Sequence, residues 1–165
     1  SKKIKFASKI ILSTDISKIK FKVSDNRFIF LKRPKNLATD KSKIYKTIIF
    51  INKYLKKNTN TKFDSVLMLQ PTSPFRSIET INKAYKIFMK HKKKYSVVSF
   101  KEGLNNKQRV FNIKKNKVVI EKKYKTNKFK KISANGNFYF ASVKFLNKYK
   151  SFISERKTIP FILKN

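Results

Sequence analysis

Apolar residues along the chain fall in short runs that alternate with longer amphipathic stretches. Lys9-Ile-Ile-Leu-Ser-Thr-Asp15 is too short for a helix of its own and reads as a buried strand, with Asp15 and Ser17 as candidate caps for a short helix reaching about residue 22. Ser24-Asp-Asn26 breaks that helix, and Phe28-Ile-Phe-Leu31 makes a second strand that Arg33-Pro34 ends. A polar loop carrying the cap-forming residues Thr39, Asp40 and Ser42 then leads into a segment where Ile44, Ile48, Ile51 and Leu55 recur at helical spacing between lysines. One face of that helix packs and the other is solvated. Asp64-Ser-Val-Leu-Met-Leu69 is a third apolar run, read as a strand buried on both faces. Ser77 caps a further amphipathic helix with Ile78, Ile81, Tyr85 and Phe88 on one side, which ends in the basic tail His91-Lys-Lys-Lys94. Tyr95-Ser-Val-Val-Ser-Phe100 is a fourth strand, so strands and helices alternate at the spacing of crossover units. That order predicts an α/β fold with a mostly parallel sheet and helices on both faces.

Beyond Phe100 the pattern changes. Val110-Phe-Asn-Ile113 and Val118-Val-Ile120, separated by Lys114-Lys-Asn-Lys117, read as a small β-hairpin insertion. Residues 122–131 form a basic loop without periodicity, and Asn135-Gly136 turns into the strand Asn137-Phe-Tyr-Phe-Ala141. A short helix over residues 143–149 follows. Ile159-Pro-Phe-Ile-Leu163 makes a last strand, in which Pro160 points to an edge or an entry position. At 165 residues, with no internal repeat and no low-complexity linker, the chain is expected to be a single domain over 1–165.

Charge changes the picture less than its size suggests. Lys+Arg number 43 against 8 Asp+Glu, a formal net charge of +35, which is the balance of a nucleic-acid binder. Yet only Arg27, Arg33, Arg76, Arg109 and Arg156 are arginines, and the lysines are scattered among abundant Ile, Asn and Phe, residues whose codons are all rich in A and T. Compositional drift produces the same balance without selection for polyanions, and non-specific polyanion binding at low salt is expected either way. Cysteine is absent and no apolar stretch is long enough to span a bilayer, so a soluble cytoplasmic protein, with no membrane partner, is the expectation.

The inventory also narrows the chemistry. His91 is the only histidine and lies in a lysine-rich helix end. None of Asp15, Asp25, Asp40, Asp64, Glu79, Glu102, Glu121 and Glu155 forms an Asp-x-Asp pair, and no Gly-rich phosphate loop is present, because Gly103 and Gly136 are the only glycines. What remains is anion and amide recognition by Arg33, Arg76, Arg109, Gln70, Asn135 and lysines. The stretch Leu67-Met-Leu-Gln-Pro-Thr-Ser-Pro-Phe-Arg76 concentrates it. An apolar run stops at Gln70, Pro71 and Pro74 forbid its continuation, and in an open α/β sheet Gln70, Thr72, Ser73 and Arg76 then face the crevice beyond the strand's carboxyl end. An ordinary β-to-α connection is the alternative reading of the same spacing.

Taken together, Ser13-Thr-Asp15, Arg33-Pro34 with Leu37-Ala-Thr-Asp40, Leu69-Gln-Pro-Thr-Ser-Pro-Phe-Arg76, Ser96-Val-Val-Ser99 and Asn135-Gly-Asn-Phe-Tyr139 resemble, in order and spacing, the cytidylyltransferases that make CMP-activated nonulosonic acids. These are the N-acylneuraminate (sialic acid) cytidylyltransferases and their pseudaminate relatives. The resemblance covers about residues 9–142. It implies a three-layer α/β/α nucleotide-diphospho-sugar transferase-like (Rossmann-like) fold. It also implies transfer of CMP from CTP to the anomeric hydroxyl of an acid sugar, release of pyrophosphate, and support by Mg²⁺. By resemblance, Arg33 falls where the family contacts cytosine, with Asp40 in the same nucleotide-binding loop. Gln70 falls where the family hydrogen-bonds the sugar, with Thr72, Ser73 and Arg76 beside it. Asn135 matches the asparagine of the sugar-side Asn-Gly turn, and Arg109 a basic position of the active-site loop. Homodimers are also implied, with residues 110–131 as the region of contact.

The chain departs from that pattern in specific places. The family's nucleotide loop and its Asp-x-Asp metal pair are not in it, so metal ligands are expected to be none within this chain, which is expected to be truncated at both ends and to have little transferase activity alone. Ser133 stands where many members have an arginine, and a base-contacting hydroxyl position falls on Ile44. The alternatives carried forward are a basic nucleic-acid-binding domain and a catalytically dead relative with a structural role.

Overall fold

The computed structural model describes residues 4–16, 24–73, 76–103, 110–120 and 131–163. It divides into two compact units, residues 1–62 and 63–165. In the first unit, β1 (Ile10–Thr14) and β2 (Phe28–Lys32) pair in parallel, with Ile10 opposite Phe28 and Thr14 opposite Lys32. The approach to β2 is held by Arg27, whose Nε and Nη2 donate to the two oxygens of Asp25 at 3.1 and 2.9 Å while Nη1 donates to the carbonyls of Ile4 and Ala7. A 3-10 turn over Lys35–Leu37 precedes α1 (Ile44–Thr59). Ile48, Ile51 and Leu55 are buried as their spacing predicts, but Ile44 is 43% exposed and Thr47 takes the buried place in the first turn. The anticipated caps also differ, since Lys43 occupies the N-cap position and no side chain bonds the free N–H groups there. Thr39 and Asp40 precede it as exposed residues. The expected short helix after Asp15, including Ser17, lies outside the described residues.

The second unit is built on a six-stranded sheet. Its strands are β3 (Ser65–Met68), β4 (Ser96–Glu102), β5 (Val110–Lys114), β6 (Lys117–Ile120), β7 (Lys131–Ser142) and β8 (Thr158–Ile162). They lie in the order β6-β5-β7-β4-β8, with β3 also paired to β7. The α/β class and the β5–β6 hairpin agree with the sequence, while the sheet is mixed where mostly parallel strands were expected. β4 and β8 are parallel, but β7 runs against β3, β4 and β5. The reason lies in β7 itself. It enters beside the hairpin, so it passes back between β3 and β4 instead of crossing over through a helix.

Two helices cover this sheet. α2 (Ile78–Lys90) is capped by Ser77, whose hydroxyl accepts from the Thr80 N–H, and it buries Ile81, Ala84 and Phe88. Phe88 stacks on Phe140 of β7 with ring centroids 5.6 Å apart, and Tyr85 lies 6.1 Å from the same ring. The neighbouring position on the strand faces the other way, where Tyr139 meets Phe152 at 5.5 Å, just after α3 (Val143–Tyr149). Pro160 sits within β8 at the end of the strand order, where a missing N–H is tolerated. No helix among the described residues is long and apolar enough to cross a membrane.

Adjacent positions on α2 separate core packing from surface. Phe88 is 1% exposed and Met89 41%. Phe88→Ala is expected to lower unfolding free energy by about 3–5 kcal/mol and Met89→Ala by under about 1 kcal/mol, read from urea denaturation midpoints.

Candidate functional site

The site begins with a mismatch between neighbouring strands. Val98 lies opposite Tyr139 and Phe100 opposite Ala134, so Ser99 alone faces residues 135–138 of β7. That surplus bulges out of the ladder. The fully buried Ser99 hydroxyl takes over the missing pairing by accepting from the Phe138 N–H at 2.9 Å and donating to the Phe138 carbonyl at 3.1 Å. Asn135-Gly-Asn137 is thereby pushed out of the sheet, which is how bulges re-aim side chains beside sites. Asn135 Oδ1 accepts from the Asn137 N–H at 3.1 Å, so the asparagine stiffens its own turn and keeps its amide –NH₂ as a donor.

β3 delivers the other half. Its Met68 pairs with Tyr139, so the chain leaving its carboxyl end comes alongside the bulge. There Ser73 N–H donates to the Gln70 carbonyl at 3.3 Å, closing a turn with Pro71 in the second position, where its fixed φ is favourable. Ser73 Oγ donates to the Asn135 carbonyl at 3.2 Å. Gly136 adopts φ +76°, and a Cβ placed on it would stand 2.6 Å from Gln70 Oε1 and 3.3 Å from Ser73 Oγ. The Gln70 amide therefore lies directly over a residue whose positive φ favours glycine, and a side chain there would displace the Gln70 end.

Arg76 ties the two halves together. Its Nε donates to the Asn137 carbonyl at 2.7 Å and its Nη2 donates to the Gln70 carbonyl. Partial burial pulls its pKa below the usual arginine value, and the guanidinium stays charged throughout the physiological range. On the far side, burial raises the Tyr139 phenol above its ordinary value, with a backbone hydrogen bond from Gly136 acting against the rise.

The structure thus brings together Gln70, Ser73, Arg76 and Asn135, with Thr72 exposed at the tip of the turn. Arg33 and Asp40 belong to the first unit. The Arg33 N–H donates to the Thr14 carbonyl at 2.7 Å and its Nη2 to the Ser13 carbonyl at 2.5 Å, its buried Nε has no partner among the described residues, and Asp40 is exposed. Arg109 lies outside the described residues, as do Pro74 and Phe75. Ser133 is fully buried with an unpartnered hydroxyl, and Ile44 is exposed at the start of α1. Ser99 and Tyr139 were not anticipated as parts of the site. A serine inside an otherwise apolar strand was the available signal for the first.

No three of the described His, Asp and Glu residues stand together as a metal site. Asp25 is paired with Arg27, Glu79 with Lys83 and Asp64 with Lys93, so these carboxylates are dispersed on separate elements. The described donor set does not fit Mg²⁺, and no step is assigned to it.

Comparison with known proteins gives consistent matches. Residues 1–159 match the family described as Cytidylyltransferase. The chain is 34% identical over 135 residues to the CMP-N,N'-diacetyllegionaminic acid synthase of Legionella pneumophila, an alignment covering 79% of this chain and 57% of that protein. It is 36% identical over 91 residues to the N-acylneuraminate cytidylyltransferase of Escherichia coli, covering 55% of this chain and 20% of that protein. The chain therefore spans little more than half the length of the first relative and a fifth of the second.

Two substitutions test this construction. Gly136→Ala is expected to cost about 1–2 kcal/mol in urea denaturation and to shift the Gln70 side-chain amide resonances in ¹H–¹⁵N spectra, because the flexible Gln70 end gives way before the backbone does. Ser99→Ala leaves the buried Phe138 N–H and carbonyl unpaired and is expected to lower unfolding free energy by about 1–3 kcal/mol, with Ser99→Thr losing less.

Proposed function

Because the chain belongs to the cytidylyltransferase family, we propose that it forms part of an enzyme that transfers CMP from CTP to an acylneuraminate-type nonulosonic acid, releasing pyrophosphate. The observation that carries this reading is the Gln70 amide laid over Gly136 beside the Asn135 turn. A polyhydroxylated acid sugar presents hydroxyls, an acyl amide and a carboxylate. An exposed Thr72 hydroxyl, the Gln70 amide and the Asn135 –NH₂ offer matching donors and acceptors without bringing in a competing charge.

In this reading Gln70 and Asn135 contact the sugar, and Thr72 lines its entrance. Ser73 and Arg76 hold the two backbone segments at a fixed separation, since their polar groups are engaged with the carbonyls of Asn135, Asn137 and Gln70. Such positioning matters because the attacking anomeric hydroxyl has to meet the α-phosphate at bonding distance and in line with the departing pyrophosphate. Arg33, presented by the loop after β2, is the proposed contact to cytosine, and Asp40 a further nucleotide-side group. The names of the relatives support an acid sugar of the neuraminate or legionaminate type. No cluster of three carboxylates or histidines for the divalent ion used by this reaction class occurs among the described residues.

Saturation-transfer NMR on the chain with N-acetylneuraminate tests the sugar side. Binding is expected for the wild type, with Gln70→Ala and Asn135→Ala each weakening it roughly tenfold, the loss that follows when a site built for hydrogen bonding is left unpaired. Preference for CTP over other nucleoside triphosphates at physiological salt is expected as well. Absence of sugar binding together with steeply salt-dependent binding to duplex DNA and no nucleotide preference would favour a nucleic-acid-binding domain instead.

A further inference from the structure

A cavity of about 510 Å³ lies between the β5–β6 hairpin, β8 and the end of α2, and Gln70 is not among its lining residues. β3 and β4 point the same way, since both run against β7. Gln70 follows the carboxyl end of β3, whereas the cavity lies along β8 from Ile159 to Ile162, against the end of α2 at His91. One wall is apolar, made by Ile113 of β5 with Ile159, Pro160 and Ile162 of β8. The other is cationic and comes from the β5–β6 hairpin, whose tight turn places Lys115 and Asn116 in the left-handed region at φ 47° and 55°. That two-residue turn, of the kind that matches strand twist, aims Lys115 and Lys117 at the cavity.

The charges around it are uncompensated. Lys117 Nζ stands 3.6 Å over the Tyr95 ring and Lys157 Nζ 5.8 Å from the same ring, whose edge meets His91. No carboxylate is among the described lining residues, and none of Lys115, Lys117 and Lys157 is in an ion pair among the described residues. Desolvation, together with repulsion from Lys157, lowers the Lys117 pKa. Ammonium groups offer only donors, so Lys115 and Lys117 lining one cavity with no carboxylate among its described residues favour a multiply charged oxyanion. The aliphatic wall suits an organic body attached to it.

We propose that this cavity binds a small organic phosphate ester, with the phosphate held by Lys115 and Lys117 in the field of Lys157 and the apolar part laid against Ile159 and Ile162. The site is separate from the Gln70 turn and does not depend on the function proposed for that turn. A dianionic phosphate relieves the repulsion between the lysines, and the wall distinguishes an ester from the bare ion.

Phenyl phosphate and inorganic phosphate serve as probes, titrated into the chain at constant ionic strength by calorimetry. Phenyl phosphate is expected to bind roughly tenfold more tightly, the gain from burying a few ring carbons. The double variant Lys115→Asn with Lys117→Gln is expected to weaken it by roughly tenfold, whereas Lys53→Gln with Lys56→Gln, an equal loss of charge from the exposed face of α1, changes it by less than about twofold. Asparagine tolerates the left-handed turn, and Lys115→Asn alone, expected to weaken binding by roughly threefold, reports on the site even where the double variant unfolds. Equal affinity for the two probes, or equal weakening by the two charge-matched doubles, overturns the proposal by showing adventitious attraction to a cationic surface.

Discussion

Ser99 faces a stretch of β7 that is too long for it, and much of the candidate site follows from how that surplus is accommodated. Residues 135–138 stand opposite one residue of β4, so the ladder either breaks or finds a substitute partner. A serine hydroxyl can do both jobs of a peptide group, accepting from one N–H and donating to one carbonyl, and at this buried position no water is needed to complete the pairing. Once Phe138 is held this way, Asn135 and Gly136 have to project, and the turn leaving β3 has to pass over them. The left-handed Gly136, the Gln70 amide lying over it and the Arg76 clamp are successive consequences of that one register shift. An unbroken β7 ladder would leave Asn135 in line with the strand and Gln70 without a platform.

The arginines show how a chain with 43 basic and 8 acidic residues satisfies its partly buried cations. Arg27 reaches one carboxylate and two carbonyls, Arg33 a carbonyl, and Arg76 two carbonyls. With few acids available, the guanidinium fork serves as a backbone clamp, because its donors point in fixed directions and can span two segments. Lysine does not replace it in that role, since its ammonium is a single point on a flexible stem. This explains why Arg27, Arg33 and Arg76 each tie together segments distant in sequence or in the turn. Arg76 is thereby a structural member of the site whose charge is taken up by the protein's own carbonyls.

Much of this was legible in the chain itself, and the boundary of legibility is physical. Helical periodicity located α1 and α2, the Ser77 cap marked the start of the latter, and Gln70-Pro-Thr-Ser73 marked a turn at the carboxyl end of a strand. Local signals of this kind depend on residues close in sequence. The direction of β7 was not legible, because it is decided by pairing between β7 and strands such as β4, separated by dozens of residues, and apolar patterning reads alike in either direction. Ile44 shows the same limit. It fits the periodic stripe of α1, yet it lies in the first turn and Thr47 packs in its place. Arg76 was assigned to the site by position, while its partners, two carbonyls brought together by the bulge, exist only in the folded sheet.

The Gln70 turn and the hairpin also separate charge that is structural from charge that is available. At the Gln70 turn the cation is hydrogen-bonded to carbonyls, and the groups facing outward are amides and a hydroxyl, suited to reading a pattern of hydroxyls. At the hairpin the ammonium groups meet a tyrosine ring and each other, and none of them is in an ion pair among the described residues. Composition alone supplies lysines everywhere, so their number says little about function. Their arrangement says more. A lysine on a solvated helix face is compensated by water, whereas Lys117 is partly desolvated beside Lys157, and the face of the Tyr95 ring offsets part of that cost. A surface made basic by drift has no reason to hold two ammonium groups against one ring. The arrangement of these ammonium groups around one ring, rather than the net charge of the chain, is what sets the hairpin apart from the other basic surfaces.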